Sequence, residues 1–321
     1  MRSVKAVAST LALAFALALG GTASAAEPLK MMVPANPGGG WDTTGRSVLG
    51  ALAADGIHTA GAQVTNKGGA GGTIGLAEFV NGMKGNDHAL MVTGVIMVGG
   101  ILTSKSPVTL DQVTPLARLT IEYNAIAVAP GSPFRTVKDF LDALRQDPGK
   151  VSVGGGSAGG VDHITLALVG KAIGVPAARL NYVAYQGGGE MIAAVAGGKL
   201  AAAISGASEF KQYVDTGRLR LLAVSSEARL PGIGVPTLKE SGINVVIGNW
   251  RGLVGPPGMS AAGRAHLIAM LDQMHAGKAW PETLRKQGWD DAYLAGDAFS
   301  AFLREENVRI GEILKDVGLV K

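Results

Sequence analysis

The sequence predicts an α/β protein built from strand–turn–helix units, and three observations carry that prediction. Short apolar runs alternate with helical patterns at the spacing of βαβ units, which points to parallel sheets. Glycine is far above its usual ~7%, at 48 of 321 residues; it gathers where apolar runs end and shows no collagen-like period. There is no Cys, so stability must come from burial, and a chain of this length can bury about three quarters of its unfolded surface. The length also accommodates two domains.

The first 25 residues predict a signal peptide rather than part of the fold. Arg2 and Lys5 form a basic start, Leu11 to Leu19 an apolar run, and Ala23-Ser24-Ala25 a small-residue cleavage pattern. The run is well short of the roughly 20 apolar residues of a spanning helix. Cleavage near Ala25 would place the protein in the periplasm, and the missing Cys rules out a lipoprotein anchor. With Arg2 and Lys5 gone, the formal charge of +4 falls to about +2. That excess can attract an anion without identifying it.

The elements follow in order. Leu29–Val33 reads as a strand, 34–40 as a loop and Asp42 to Ala54 as a helix. Ala62 to Thr65 is a strand, Gly68 to Gly72 its turn, Thr73 to Met83 a helix, and Ala89 to Thr93 a strand. A second set opens with a strand at Ala125 to Ala129. Thr136 and Asp139 make a capping box for a helix whose core face is Val137, Phe140, Leu141 and Leu144. Val151 to Val153 is a strand into the Gly154–Gly160 loop, and Val161 to Ile173 a helix. Tyr182 to Tyr185, Leu200 to Ile204 and Leu219 to Val224 are strands, with a helix at Glu190 to Ala196. From Ser260 the tail reads as mainly helical, with an apolar stripe through Phe299, Phe302, Leu303, Ile310, Ile313, Leu314 and Val317 that suits a core face.

Two loops carry the chemistry. Pro37-Gly38-Gly39-Gly40-Trp41-Asp42-Thr43 passes from strand to helix, where free N–H groups and the helix dipole favour an anion. Asp42 or Thr43 is placed to cap that helix, and Asp42 and Arg46 have the spacing of a surface ion pair. The Gly154–Gly160 loop has the same context and satisfies two enzyme patterns. Gly154, Gly156 and Gly159 match the dinucleotide fingerprint, but the acid needed about 20 residues on is missing; Ala177, Ala178 and Arg179 stand there. Gly155, Ser157 and Gly159 match the nucleophile elbow of a serine hydrolase. That alternative needs a separate downstream His, and His163, His266 and His275 are poorly placed for it. No Cys, His or carboxylate set has metal-ligand spacing, so neither metal nor cofactor is expected. Glu190, Glu209, Asp272 and Glu282 read as charges on solvated faces. Without a basic run interleaved with aromatics, nucleic acid is not an expected partner.

An ordered set of motifs now carries a resemblance. It runs through Val33-Pro34, the Pro37 to Asp42 loop, Asn66 with Gly69 to Gly75, the Gly154 to Gly160 loop, Asp162-His163, Asn181 to Glu190, Ile204-Ser205-Gly206, Leu222 to Ser225, Val235 to Leu238 and Asn249-Trp250-Arg251-Gly252. From about Leu29 to the C-terminus the chain resembles the substrate-binding proteins of tripartite tricarboxylate transporters (the TctC or Bug family), and their TctC branch most. The resemblance implies a type II-like periplasmic-binding-protein fold of two lobes, 27–124 plus 228–321 and 125–227, hinged around a cleft. It implies a non-enzymatic receptor for a small di- or tricarboxylate, citrate by default, held by backbone and hydroxyl donors. Gly38, Gly39, Gly40, Trp41, Asp42 and Thr43 would grip from the first lobe and Ser157, Ala158 and Gly159 from the second, with Thr93, Ser205 and Trp250 as walls. The implied partners are integral membrane transporter subunits and a sensor kinase reading the same bound ligand, and the expected state is a monomer.

Overall fold

Strand β4 (Thr114–Val128) connects the two halves of the molecule in the computed structural model, which describes residues 27–185 and 188–321. The predicted signal peptide lies outside the described residues. Fifteen extended residues span roughly 50 Å, and β4 pairs with four strands along that length. Residues 114–123 run antiparallel to β9 (Gly248–Gly255), and 117–121 also to β10 (Asp290–Ala295). Residues 124–128 run antiparallel to β7 (Ala202–Gly206) and β8 (Arg220–Val224).

The sheet continues on each side with parallel pairs, as the strand–helix alternation predicts. Beyond β9 come β3 (Ala89–Gly94), β1 (Leu29–Val33) and β2 (Ala62–Asn66), with β1 parallel to both neighbours. Beyond β7 come β5 (Ser152–Gly155) and β6 (Asn181–Ala184), again parallel. Helices α1 (Gly40–Ala54), α2 (Thr73–Gly82), α4 (Val137–Gln146), α5 (Val161–Ala172) and α6 (Gly188–Ala196) follow the predicted units closely. At α4 the Thr136 hydroxyl accepts the Asp139 N–H at 3.3 Å, and the Asp139 carboxylate accepts the Thr136 N–H at 2.8 Å. This is the reciprocal cap that the sequence announces.

Several elements depart from the sequence reading. β4 begins at Thr114 rather than Ala125, because Arg118, Glu122 and Asn124 break the apolar run without breaking the strand. Helices α3 (Val95–Ser104) and α7 (Ala207–Asp215) follow β3 and β7 directly, with no Gly/Pro-rich turn to mark them. α3 is apolar all round and offers no helical period to read. The tail holds α8 (Ala261–Ala276), α9 (Ala279–Gln287) and α10 (Gly296–Asp316), but β10 interrupts it. On α10 the residues Phe299, Leu303, Ile310 and Leu314 are buried, so the stripe is a core face.

The chain returns from β8 to β9 beside β4. The Asn124 N–H donates to Ser225 Oγ (2.9 Å), the Ser225 N–H to Asn124 O (2.8 Å), and the Ser225 hydroxyl to Ile247 O (2.7 Å). The two passages between the halves are therefore bonded to each other. A second contact joins the halves at α3. A Cβ built on Gly99 would lie 1.9 Å from the Gly159 carbonyl oxygen, so the helix backbone rests directly on the 157–160 loop. Among the described residues no helix is long and apolar enough to cross a membrane.

Candidate functional site

The two glycine loops face one cleft, and each is shaped by the same device. In the first, Gly39 caps α1 with no side-chain hydrogen bond, and Gly38 has φ +83°. Asp42 is inside the first turn rather than at the cap. Its carboxylate accepts the Gly38 N–H (3.0 Å), Arg46 Nε–H (2.9 Å) and Asn66 Nδ2–H (2.9 Å). Burial opposes ionisation of Asp42, but these bonds and the Arg46 charge outweigh it and hold the carboxyl below its usual range. In the second loop Asp162 accepts the Gly156 N–H (2.8 Å) and Asn124 Nδ2–H (3.0 Å), while the Tyr182 hydroxyl donates to Gly156 O (2.8 Å). Burial raises the Asp162 carboxyl to about 6, against the bonds from Gly156 and Asn124. Each loop is thus tied by an early helical Asp to one glycine N–H and one Asn.

The floor of the cleft is charged, which the sequence did not reveal. Arg251, from β9, is 2% exposed and donates through Nη2 to Glu122 of β4. Glu122 also accepts the Ser208 hydroxyl (2.6 Å) and Asn249 Nδ2–H (3.4 Å). Glu209, on α7, stands 3.9 Å from Arg251 Nη2 and accepts the Ser205 hydroxyl at 3.2 Å. Glycines make the space. A Cβ at Gly40 would sit 2.5 Å from Arg251 Nη2, and one at Gly206 would sit 2.6 Å from the Glu122 carboxylate. Arg251 Nε and Nη1 and Trp41 Nε1 are buried with no partner among the described residues.

An inner chamber of about 120 Å³ and an outer one of about 440 Å³ meet at Gly40, Gly188, Glu209 and Arg251. The inner chamber is smaller than the roughly 300–1,000 Å³ typical of drug-sized ligands. It is lined by Gly39, Trp41, Ser157 and Ser205 among the expected site residues; the outer is lined by Gly38 and Thr43, and Gly40 borders both.

Five other expected site residues line neither chamber. The Asp42 carboxylate is taken up by the loop, Ala158 is exposed, and the Gly159 N–H donates to His163 Nδ1 at 3.1 Å. Thr93 is buried with its hydroxyl on Met97 Sδ (3.5 Å). Trp250 is buried against Phe299 and Phe302 and donates Nε1–H to Glu306 at 2.9 Å. Adjacent residues of a strand point to opposite faces, so with Trp250 in the core it is Arg251 that reaches the cleft. Glu209, read from sequence as a solvated charge, borders both chambers.

Nothing in the site resembles a serine triad. His163 stacks on Tyr182 at 4.2 Å, its Nδ1 is occupied by Gly159, and burial lowers its pKa to about 4. His266 and His275 are on α8, which lines neither chamber. Among the described residues no group of three His, Asp or Glu is placed to hold a metal ion.

Burial first, and then the Glu122 charge, raise the Glu209 carboxyl to about 7 against the pull of Arg251. A raised carboxyl stabilises the fold at pH below its unfolded value near 4.5, and that stability is lost as pH rises through about 7. From pH 8 to pH 6 the wild-type protein should therefore gain about 1 kcal/mol relative to Glu209→Gln. Denaturant melts of both proteins across that range check it, and parallel curves would contradict it.

Comparison with known proteins agrees with this architecture. Residues 52–319 match the tripartite tricarboxylate transporter family receptor profile, TctC. A TctC solute-binding protein from Polaromonas is 31% identical, with a TM-score of 0.66, over 90% of this chain and 98% of that one. MatC from Rhodopseudomonas palustris, solved with bound malate, is 21% identical with a TM-score of 0.77, over 90% of this chain and 99% of that one. A second R. palustris protein, solved with adipate, is 20% identical with a TM-score of 0.83, over 91% and 97%. The family is one of transporter receptors, the Polaromonas relative is a solute-binding protein, and BugD, 22% identical with a TM-score of 0.82 over 92% of this chain and 99% of that one, is a periplasmic binding protein. The family match covers most of the chain and the fold agrees, so the chain belongs to the tripartite tricarboxylate transporter receptor family.

Proposed function

We propose that this receptor is exported by cleavage near Ala25, captures a small di- or tricarboxylate in its cleft, and delivers it to integral membrane transporter subunits. The observation that carries the reading is the meeting of two strand-to-helix glycine loops at one small chamber floored by a buried arginine. One carboxylate would take N–H groups at Gly39 and Gly40, and another would take the Ser157 side of the chamber, with Trp41 as a further donor and Ser205 as a wall. The malate- and adipate-bound relatives support an acid of this size, and citrate is the tricarboxylate to test first. The lobes would be 27–124 plus 228–321 and 125–227, turning about Asn124 and Ser225. A monomer would suffice, and a sensor kinase could read the closed form.

Thermal-shift and calorimetric titration with malate, adipate and citrate test the reading. At about 100 times Kd, a bound acid should stabilise the protein by about 2.7 kcal/mol. No response to any of the three, or cleavage of an activated ester that Ser157→Ala abolishes, would overturn it. Ser157→Phe should remove binding while the circular dichroism spectrum stays native, because the ring would fill the inner chamber. Unchanged affinity in that variant would exclude the second loop from the site.

A further inference from the structure

The charge count at the cleft floor points to more than an anion cradle. Arg251 faces three carboxyls there, from Glu122, Glu209 and Asp162. Glu122 holds the closest position on the guanidinium and is itself pinned by Ser208 and Asn249. Asp162 is engaged by Gly156 and Asn124. Glu209 differs from both. It stands 3.9 Å from Arg251, beyond a hydrogen bond, and among the described residues its one side-chain hydrogen bond is from Ser205. It also sits where the two chambers join. On the same guanidinium, Nε–H and Nη1–H are buried with no partner among the described residues. These two N–H groups are on opposite edges of the guanidinium and do not form one fork, but they leave the cation incompletely bonded beside the chambers.

We infer that the Arg251 guanidinium is the counter-charge for one ligand carboxylate at the floor of the cleft, and that Glu209 competes for the same cation and must take a proton from solvent for the ligand to bind. The inference rests on the carboxylate-receptor reading and deepens it. An arriving carboxylate beside an ionised Glu209 would put two like charges on an arginine already neutralised by Glu122. The groups facing Glu209 are Glu122 on β4, Arg251 on β9, Asp162 on α5, Ser205 at the end of β7 and the Gly188 start of α6. Lys211, one turn away on α7, is occupied with Asp215 at 2.6 Å. None of these supplies a second cation at the site. The Glu209 carboxyl, raised to about 7, titrates in the range where the linkage can be read.

The test is calorimetric titration of the full chain with malate and adipate at pH 7, in buffers of different ionisation enthalpy. The wild-type protein should take up about half a proton per ligand, and its affinity should be roughly tenfold weaker at pH 8 than at pH 6. Glu209→Gln should lose the proton uptake, flatten the pH profile and bind more tightly at pH 8. Arg251→Met should weaken binding about 100-fold or more. Should that variant fail to fold, Arg251→Lys, which keeps a charge but shortens its reach and loses the planar donor set, should still weaken binding. Binding with the same proton uptake and pH profile in wild type and Glu209→Gln would overturn the inference and leave the receptor reading standing. Failure of malate, adipate and citrate alike to bind the wild-type protein would overturn the receptor reading itself.

Discussion

Glu122→Ala should lower stability by about 3–5 kcal/mol, because it leaves the Arg251 charge buried without its nearest counter-ion. The loss should appear as a melting temperature lower by on the order of 10 °C in a protein of this size. Three features make the site unforgiving. Both side chains are 2% exposed, so water cannot replace the missing carboxylate. The Ser208 hydroxyl and the Asn249 amide lose their acceptor at the same time. Gly206, which has no side chain because Glu122 occupies that space, would border a cavity. Glu122→Gln keeps the acceptor and the volume, so it should cost less. A loss below about 1 kcal/mol for the alanine variant, read from denaturant unfolding, would refute the dependence of Arg251 on Glu122.

Gly99→Val should weaken ligand binding about 100-fold, equivalent to roughly 2.7 kcal/mol, with little effect on secondary structure. The Gly99 backbone rests on the Gly159 carbonyl, and any Cβ there would fall 1.9 Å from that oxygen. The neighbour is backbone, so no rotamer change relieves the clash. α3 and the 157–160 loop would have to separate, and the Ser157 side of the chamber would move away from Gly39 and Gly40. A ligand that needs both loops would then reach only one. Calorimetry reads the affinity, and small-angle scattering should show a larger radius of gyration. Full affinity in this variant would mean that the contact is dispensable for binding.

The strand–helix units of the fold were legible because their glycine turns and capping residues act locally; the Thr136–Asp139 box is one case. β4 was legible only at its apolar end. Its earlier residues owe their strand conformation to β9 and β10, which arrive more than 100 positions later. The glycine loops were legible as strand-to-helix turns with free N–H groups, but the roles of the side chains near them were not. Asp42 looked like a cap and an ion-pair partner of Arg46; the pair forms at 2.9 Å, but the carboxylate is buried inside the first turn and also ties Gly38 and Asn66. Trp250 was expected as a wall of the cleft, by resemblance. Strand alternation would have favoured Arg251 once Trp250 was assigned to the core, but β9 itself was not recognised. Glu122, Glu209 and Arg251 come from three distant segments, and only the folded sheet brings their charges together.

The path of the sheet also bears on when the protein can fold. β3 has β1 on one side and β9 on the other, yet β9 begins at Gly248. A chain emerging from its N-terminus therefore holds β3 with an open edge until most of the sequence has been made. Such long-range pairing closes slowly. Early collapse into a finished N-terminal half is thereby discouraged, and if the chain is exported unfolded, as proposed above, that delay would be an advantage written into its strand order.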